Sequence, residues 1–374
     1  MNPLDDPATY LLDGSGMFAH IESLGSELAS AWCDSAAIEL TLGARPASIV
    51  VAGMGGSAAA GDYLASAISA HSTIPVSVVR DYVLPAHIGP GSLVLLVSYS
   101  GNTEEALACF DASIAAGAQS IAITSGGELA RRACLAGVFV HEISYVSPPR
   151  AALAHTLAPL LRVAQQLDLM PICDSDIEGA ADAHRELITR IGTSVRTTLN
   201  PAKQLAEQCL GKHPLLFSAG HLDCAVRRTK NQLAENAKVL AAWEPLPEAT
   251  HNHVVGFEAL GSPASIAPIA FETPLLHERV RRRFDVLAEL ASAAGMPVRR
   301  IETSGSSVLA DMLEATAWGD CLSGYLALLQ GLDPTRTRSL EYMRDGMEQT
   351  APEIEVAGTV AAAPAVSRGN ILTG

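Results

Sequence analysis

The sequence predicts an α/β protein made of two halves, each a parallel β-sheet sandwiched between helices on both of its faces. Short apolar, β-branched runs alternate with helix-forming segments from about residue 47 to residue 143. The runs are apolar at consecutive positions, which is typical of parallel strands buried on both faces. A weaker form of the same alternation returns from residue 214 to residue 330, without a residue-level repeat. Together these observations favour a duplicated architecture.

The first half is predicted to open with a helix and to continue as alternating strands and helices. The lead helix spans 16–40, where apolar residues recur at helical spacing. Strands are predicted over 47–52, 74–80, 92–98, 120–124 and 138–143. Helices are predicted over 57–69, 103–116 and 127–134. This alternation is the basis for the first parallel sheet.

Two helices, over 150–167 and 177–191, are predicted to connect the halves. The second half has predicted strands over 214–219, 265–271 and 298–303, and predicted helices over 222–240, 277–294 and 308–330. We therefore expect a helical lead-in over 1–40, a first subdomain over 41–170 and a second over 171–350. The tail over 351–374 is rich in Ala, Val and Pro without periodicity, which predicts a flexible segment.

The composition excludes several classes of protein. The 374 residues carry a net charge of −15, which argues against nucleic acid or an anionic membrane surface as a partner. No apolar run reaches membrane-spanning length, and the N-terminus lacks the apolar region of a signal peptide. The seven cysteines are scattered without a Cys-x-x-Cys pair, as expected for reduced thiols. These features predict a cytoplasmic protein.

The stretch Val-Val-Ala-Gly-Met-Gly-Gly-Ser at 50–57 is the strongest local signal in the chain. A strand-forming run leads directly into glycines, and a helix-prone run follows. Glycines permit close approach of a ligand, and the first amides of a helix favour an anion. Ser57 adds a hydroxyl donor. The stretch predicts a phosphate-binding turn, with a ligand-free tight turn as the alternative. It is not a P-loop, because no Gly-Lys-Ser/Thr follows.

A second polar turn, Ser-Tyr-Ser-Gly-Asn-Thr-Glu-Glu at 98–105, follows the third predicted strand. It carries the hydroxyls of Ser98, Ser100 and Thr103, and Thr103 is also placed to cap the next helix. A capped helix without a ligand is the ordinary interpretation of such a turn. Two such turns in one parallel sheet favour a phosphorylated ligand, because ligands bind at the carboxyl edge. Thr-Ser-Gly-Gly at 124–127 is a third polar turn at that edge.

These motifs resemble the sugar isomerase (SIS) domain. Three further stretches narrow the resemblance to the bifunctional phosphoglucose/phosphomannose isomerase branch of the phosphoglucose isomerase superfamily: Pro-Pro-Arg-Ala-Ala-Leu at 148–153, Ala-Glu-Asn-Ala-Lys at 234–238 and Thr-His-Asn at 250–252. They occur in the order found in that family, and the resemblance covers roughly residues 15–345. It implies two SIS-type subdomains that interconvert glucose 6-phosphate or mannose 6-phosphate with fructose 6-phosphate.

The implied reaction moves a proton between C1 and C2 of the sugar through an enediolate. This requires a base beside those carbons and positive charge near the enediolate oxygen. The resemblance assigns the base to Glu235, the opening of the sugar ring to His251 and the enediolate contact to Arg150. It also implies a homodimer in which His251 reaches the partner's active site, and it implies neither a cofactor nor a metal. The residues it assigns to the substrate phosphate are Gly55, Gly56, Ser57, Ser98, Ser100 and Thr103.

Each proposed catalytic residue also has a structural interpretation. Glu235 precedes Lys238 by three residues on a predicted helix, where a surface ion pair would contribute about 0.2–0.5 kcal/mol. His251 and His253 are two residues apart, but no nearby carboxylate or third histidine completes a metal site. Arg150 follows two prolines and would then only cap a turn.

One position departs from the family pattern. The family carries a lysine in a C-terminal segment that begins Asp-Pro and ends Leu-Lys, whereas the matching segment here, 333–344, ends in Met343 and Arg344. Arginine keeps the charge but is essentially never a proton donor at neutral pH. A catalytically weak protein that binds or senses a sugar phosphate is therefore the alternative to the isomerase. An isomerase for a different phosphorylated sugar is the third possibility.

Overall fold

The computed structural model describes residues 2–40, 42–259 and 261–349. The predicted flexible tail over 351–374 lies outside the described residues. The chain divides into a compact unit that ends at Arg336 and a second unit that begins at Thr337. All of the β-sheet structure described below lies in the first unit.

The first sheet has five parallel strands in the order β2-β1-β3-β4-β5. Its strands are β1 (Ser48–Ala52), β2 (Val76–Val79), β3 (Ser92–Val97), β4 (Gln119–Thr124) and β5 (Phe139–Glu142). Every residue of β3 is buried, which explains its uninterrupted apolar sequence. The second sheet has four parallel strands in the order β7-β6-β8-β9. Its strands are β6 (His213–Ala219), β7 (Ala242–Leu246), β8 (Ile266–Glu272) and β9 (Arg299–Glu302).

Helices cover both faces of the first sheet, as the sequence predicts. The helices of this half are α1 (Met17–Asp34), α2 (Gly55–Ile68), α3 (Glu104–Ala115), α4 (Gly127–Leu135) and α5 (Leu153–Gln166). Alternate strand residues face opposite ways: Val51 and Leu95 join the main core with α2 and α5, whereas Val94 packs with α3 and α4. The predicted α/β class is therefore confirmed.

The second sheet joins the same main core through one of its faces. The helices of this half are α6 (Asp174–Ile191), α7 (Pro201–Cys209), α8 (Asp223–Glu235), α9 (Glu278–Ala293) and α10 (Val308–Leu329). Phe271 faces the main core, whereas Phe217 on the opposite face packs against α9 in a separate apolar cluster. Helix α10 is buried on nearly all sides and contacts α6, α7 and α8. Within the described part of the chain, no helix combines the length and apolar character needed to cross a membrane.

Helix α7 and strand β7 were not predicted from the sequence, and the helix predicted over 222–240 is shorter than predicted. Helix α7 begins with Pro201 behind the capping side chain of Asn200, which are both ordinary start signals of a helix. Strand β7 lies at the edge of its sheet and contains Pro245, which edge strands tolerate. The helix predicted over 222–240 ends at Glu235, because Lys238 adopts a left-handed backbone conformation.

The second unit contains one described helix, α11 (Arg338–Gln349). Within it, residues 341–347 are exposed. All seven cysteines of the chain lie among the described residues and are free thiols, four of them buried and three exposed.

Burial of His184 makes the fold sensitive to acid. This residue of α6 is 1% exposed and packs against Gly25 of α1, and burial lowers the pKa of its imidazole to about 4. The unfolded chain therefore binds the proton more tightly, so stability falls as the pH drops from about 6.5 to about 4, by about 3 kcal/mol in all.

We expect His184→Asn, which keeps a donor for the carbonyl of Ile21 but cannot be protonated, to reduce this pH dependence. Urea unfolding at pH 7.5 and pH 4.5 measures the effect. The loss of stability between these pH values should be about 2–3 kcal/mol smaller in the variant than in the parent. Equal losses in the two proteins would contradict the assignment.

Candidate active site

The loop between β1 and α2 approaches its neighbours so closely that only glycine fits. A Cβ atom on Gly53 would lie 2.5 Å from the carbonyl oxygen of Val97, at the end of β3. Gly55 has a φ of +50°, a conformation that glycine adopts without strain. No side chain caps the start of α2, and the first amides of a helix have no acceptor within it. The turn therefore presents free donors at a helix N-terminus.

The second polar turn is joined to the first by a hydrogen bond. The amide of Tyr99 donates to the hydroxyl of Ser57 at 3.2 Å, so that Ser57 links the two turns. The hydroxyl of Ser98 donates to that of Thr103 at 3.0 Å, whereas Ser100 is exposed. Thr103 precedes α3, but its side chain makes no capping hydrogen bond, so the capping role predicted for it is wrong.

The third polar turn packs directly on the second. Gly101 has a φ of +68°, and a Cβ atom placed on it would lie 1.9 Å from the carbonyl oxygen of Gly126. The amide and the hydroxyl of Ser125 both donate to the carbonyl of Tyr99, at 3.0 and 2.6 Å. The three polar turns predicted from the sequence thus form one cluster at the carboxyl edge of the first sheet.

Arg150 lies against this cluster and is held rigidly. A Cβ atom on Gly56 would lie 3.2 Å from the Cα atom of Arg150, so the first polar turn and the arginine are in direct contact. The guanidinium donates from Nε to the side-chain oxygen of Asn236 at 2.7 Å, and from a terminal nitrogen to the carbonyls of Pro334 and Thr335 at 2.8 and 2.9 Å. The residue is only 7% exposed. The interpretation of Arg150 as a simple turn cap is therefore wrong.

Glu235 is the carboxylate that faces Arg150. Its Oε2 lies 3.6 Å from a terminal nitrogen of the guanidinium, and its side chain is 29% exposed. Lys238 does not pair with it, because the ammonium of Lys238 donates instead to the carbonyls of Asn236 and Asp333. The structural alternative for Glu235, a surface pair with Lys238, is therefore wrong. The carboxylate has one face toward a buried cation and another toward solvent.

A buried polar network on α8 and α10 supports the pair. Arg228 forms a buried ion pair with Asp320 and donates to the backbone carbonyl of Arg150 at 2.9 Å. Gln232 also donates to Asp320, and Asn236 donates to Ser323 at 2.9 Å. Burial lowers the pKa of the Arg150 guanidinium, and the charge of Glu235 opposes that effect. An arginine in this setting remains charged at neutral pH.

Sequence analysis missed this supporting network, although two signals for it exist. Polar residues recur every four positions at Arg228 and Gln232 of α8 and at Asn236 directly after it, which places them on one face of the helix. Asp320 is one of three carboxylates, with Asp311 and Glu314, on the long and mostly apolar helix α10. Buried charges of this kind are almost always paired, so each signal predicts a partner, but neither identifies it.

The structure does not bring His251 into contact with the pair. His251 ends a short 3₁₀ segment after β7, and its exposed side chain makes no hydrogen bond or ion pair with any described residue. His253 packs edge-on against Phe217. Arg344 belongs to α11 in the second unit, where its Nε lies 3.8 Å from the carboxylate of Asp345. Within residues 2–40, 42–259 and 261–349, no group of three or more His, Cys, Asp or Glu side chains is arranged to hold a metal ion.

The corresponding edge of the second sheet is already occupied by a carboxylate. Asp311 is fully buried and contacts Nε2 of His221, the hydroxyl of Thr273 and the amide of Gly305. Burial alone would raise the pKa of Asp311, but these hydrogen bonds hold it below its ordinary value. Three donors at this edge, on His221, Thr273 and Gly305, are thus engaged by Asp311.

We expect Gly56→Ala to lower activity with little change in stability. The new Cβ would lie 3.0 Å from the carbonyl oxygen of Pro149 and 3.2 Å from the Cα atom of Arg150, so the arginine segment must move by a few tenths of an ångström. A displacement of this size at a catalytic group lowers kcat by about tenfold. Gly91→Ala, where nothing lies within 4 Å of the new Cβ, is the matched control. Equal kcat values for the two variants would contradict the assigned contact.

Two family models match the chain. One, described as the SIS domain, matches residues 44–156, and another, described as the bacterial phospho-glucose isomerase C-terminal SIS domain, matches residues 198–347.

Solved structures share the fold of this chain. A hypothetical protein from Thermus thermophilus superimposes with a TM-score of 0.72 at 16% identity, over 93% of this chain and 94% of that chain. Tagatose-6-phosphate ketose/aldose isomerase from Escherichia coli has a TM-score of 0.64 at 17% identity, over 86% and 95%. Fold and site thus define a double-SIS protein.

The sequence relatives narrow this class to one family. The chain is 35% identical over 307 residues to the bifunctional phosphoglucose/phosphomannose isomerase of Caldicellulosiruptor bescii, covering 80% of this chain and 89% of the relative. It is 29% identical to the enzyme of the same name from Aquifex aeolicus, covering 81% and 91%. The chain belongs to the bifunctional phosphoglucose/phosphomannose isomerase family. The resemblance stated from the sequence motifs is confirmed.

Proposed function

We propose that this protein interconverts glucose 6-phosphate and/or mannose 6-phosphate with fructose 6-phosphate through an enediolate, without a metal ion. The observation that carries the proposal is the Arg150–Glu235 pair, which is held against a phosphate-binding turn through the contact between Arg150 and Gly56. A base, a fixed cation and an anion cradle are the three components that the reaction requires.

The substrate phosphate binds at the cluster of polar turns. The donors proposed for it are the first amides of α2 near Gly55 and Gly56 and the hydroxyls of Ser57, Ser98, Ser100 and Thr103. Ser98 and Thr103 are hydrogen-bonded to each other, and a bound phosphate oxygen would receive these hydroxyl protons instead. The charge of the phosphate is favoured at the helix N-terminus even though the whole protein is acidic, because distant charges are screened.

The carboxylate of Glu235 carries the proton between the two carbons. It removes the proton from C2 of the open-chain aldose, and the electron pair moves into a carbon–carbon double bond while the carbonyl oxygen at C1 becomes the enediolate oxygen. The same carboxylate then returns the proton to C1, while the hydroxyl proton of O2 passes to O1 and C2 becomes the carbonyl carbon of the ketose. Arg150 supplies positive charge to the developing oxygen without changing protonation state. Glucose and mannose 6-phosphates differ only at C2, so both yield the same enediolate.

We further propose that His251 opens the sugar ring in the active site of a partner subunit, so that the protein is a homodimer. The exposed position of His251 supports this arrangement. Arg344 is proposed to contribute charge rather than a proton. We also propose that the chain has two subdomains, over 41–170 and 171–350, and that the protein is cytoplasmic.

A coupled assay of the purified protein with fructose 6-phosphate, reading glucose 6-phosphate and mannose 6-phosphate separately, tests the function. Turnover that is equal with and without EDTA supports the metal-free isomerase. The second candidate, a sugar-phosphate sensor, is favoured by arginine at position 344, and it predicts no turnover but a rise in melting temperature with the same sugar phosphate. Arg344→Lys is the informative variant, because a gain in kcat would show that arginine at this position limits turnover. Neither turnover nor binding would overturn the substrate class.

A further inference from the structure

Lys238 adopts a left-handed backbone conformation, which favours glycine. It lies three residues past Glu235, the last residue of α8, and its φ is +56°. Past the end of a helix, glycine adopts this conformation without steric cost, whereas a residue with a Cβ atom is strained. Among the described residues, the one other non-glycine residue with positive φ is Asp168, at +50°. Strain that persists at such a position points to a role for the side chain.

The ammonium of Lys238 and the guanidinium of Arg150 hold three consecutive carbonyls. Lys238 donates to the carbonyl of Asp333 at 2.9 Å. Arg150 donates to the next two, those of Pro334 and Thr335, at 2.8 and 2.9 Å. The segment 333–335 is therefore fixed by two cations that lie side by side along it.

Asn236 provides a second link between the same two cations. Its backbone carbonyl accepts from Lys238 at 3.0 Å, and its side-chain oxygen accepts from Nε of Arg150 at 2.7 Å. Glu235 immediately precedes Asn236 in the chain. The end of α8, which carries the proposed base, is thus held to segment 333–335 through Lys238 and to the catalytic cation through Asn236.

We propose that Lys238 is a positioning residue for the isomerisation, whose ammonium holds the end of α8 against segment 333–335 and thereby fixes Glu235 relative to Arg150. The inference rests on the proposed function. Without the ammonium, the carbonyl of Asp333 loses its donor, and the base is no longer held at its distance from the guanidinium. The polar turns that bind the phosphate are not touched. The effect should therefore appear in kcat rather than in KM.

The electrostatic surroundings of Lys238 are consistent with this role. Burial and then the charge of Arg150 lower the pKa of the ammonium, while Asp333 and Glu235 act in the opposite direction. The ammonium is thus placed among the same charged groups that form the proposed active site.

Four variants test the inference in the full-length protein. Lys238→Gly removes the ammonium and relieves the backbone strain, Lys238→Met removes only the ammonium, and Lys238→Arg keeps the charge. Asp168→Gly is the matched control, because it relieves the same kind of strain at an exposed residue that has no contact with the site. We measure kcat, KM and melting temperature for each variant, and amide hydrogen exchange over 333–336.

In Lys238→Gly, kcat should fall by about 10- to 100-fold, KM should change by less than about threefold, and the melting temperature should equal or exceed that of the parent. Lys238→Met should show the same loss of kcat, Lys238→Arg should recover most of it, and Asp168→Gly should retain the parent kcat. Of the two glycine variants, only Lys238→Gly should show faster amide hydrogen exchange over 333–336.

The inference would be overturned if Lys238→Gly kept kcat within about twofold of the parent, or if amide hydrogen exchange over 333–336 were unchanged. Neither result would contradict the proposed isomerase activity. A rise in KM with kcat unchanged would also overturn the inference, because the lysine would then bind substrate. If the parent itself has no turnover, the proposed function fails and the inference fails with it.

Discussion

Glu235→Gln is expected to lower kcat for the isomerisation of fructose 6-phosphate by about 10²- to 10⁴-fold, the usual contribution of a positioned acid–base group. Glutamine has nearly the same shape as glutamate but cannot accept the proton from carbon. Arg150 retains its bonds to Asn236, Pro334 and Thr335, so the fold loses only the contact at 3.6 Å. The free energy of unfolding should therefore change by less than about 1 kcal/mol.

Isotope incorporation and binding separate this chemical effect from a structural one. In D₂O the parent should place deuterium at the carbon that receives the proton, because the carboxylate exchanges its proton with solvent through its exposed face. Glu235→Gln should lose this incorporation but should still be stabilised by the sugar phosphate, since the polar turns are unaffected. Glu289→Gln, on the exposed surface of α9, is the control and should retain full activity. A variant at position 235 with kcat within tenfold of the parent would rule out the shuttle role.

The fold was largely predictable because its signals are local. Strands β1, β3 and β4 are largely apolar runs, and each is followed by a turn that contains glycine. Strand β7 lacks such a signal, because its position at the edge of the sheet leaves most of it half-buried and permits Pro245 within it. Hydrogen bonding to β6, which the sequence does not encode locally, makes this segment a strand.

The candidate site was predictable as a set of residues, but not as an arrangement. The sequence placed Glu235 on a helix near a lysine, and helical spacing alone favours the ion pair between them. Two long-range contacts replace that ion pair: Arg150 lies against Glu235, and the carbonyl of Asp333 accepts a hydrogen bond from the ammonium of Lys238. Neither contact follows from periodicity, because the partners are far apart in the chain. The resemblance supplied the residues, and the packing of α8 on α10 brings their partners together.

Arg150→Met is expected to damage both stability and catalysis, because this residue joins Gly56 of the first polar turn to Asn236 at the end of α8. The oxygens of Asn236, Pro334 and Thr335 would lose a charged donor in a buried site, which costs on the order of 2–4 kcal/mol. Loss of the cation that we propose for the enediolate oxygen should lower kcat by about 10²- to 10³-fold, as for other donors to a developing oxyanion. Urea unfolding and the coupled assay measure the two effects separately.

A matched arginine and chemical rescue distinguish the catalytic loss from the structural one. Arg162 lies over the ring of Trp32 at 3.5 Å and donates to its carbonyl at 2.9 Å, so Arg162→Met should also destabilise the fold but should retain kcat. Added methylguanidinium should raise kcat in Arg150→Ala, where the removed side chain leaves room for it, and should not do so in Arg162→Ala. Arg150→Lys should recover only part of the activity, because a point charge cannot bind Asn236 and two carbonyls at once. Equal loss of kcat at the two positions would show that activity follows stability alone, and Arg150 would then be a structural residue beside the site.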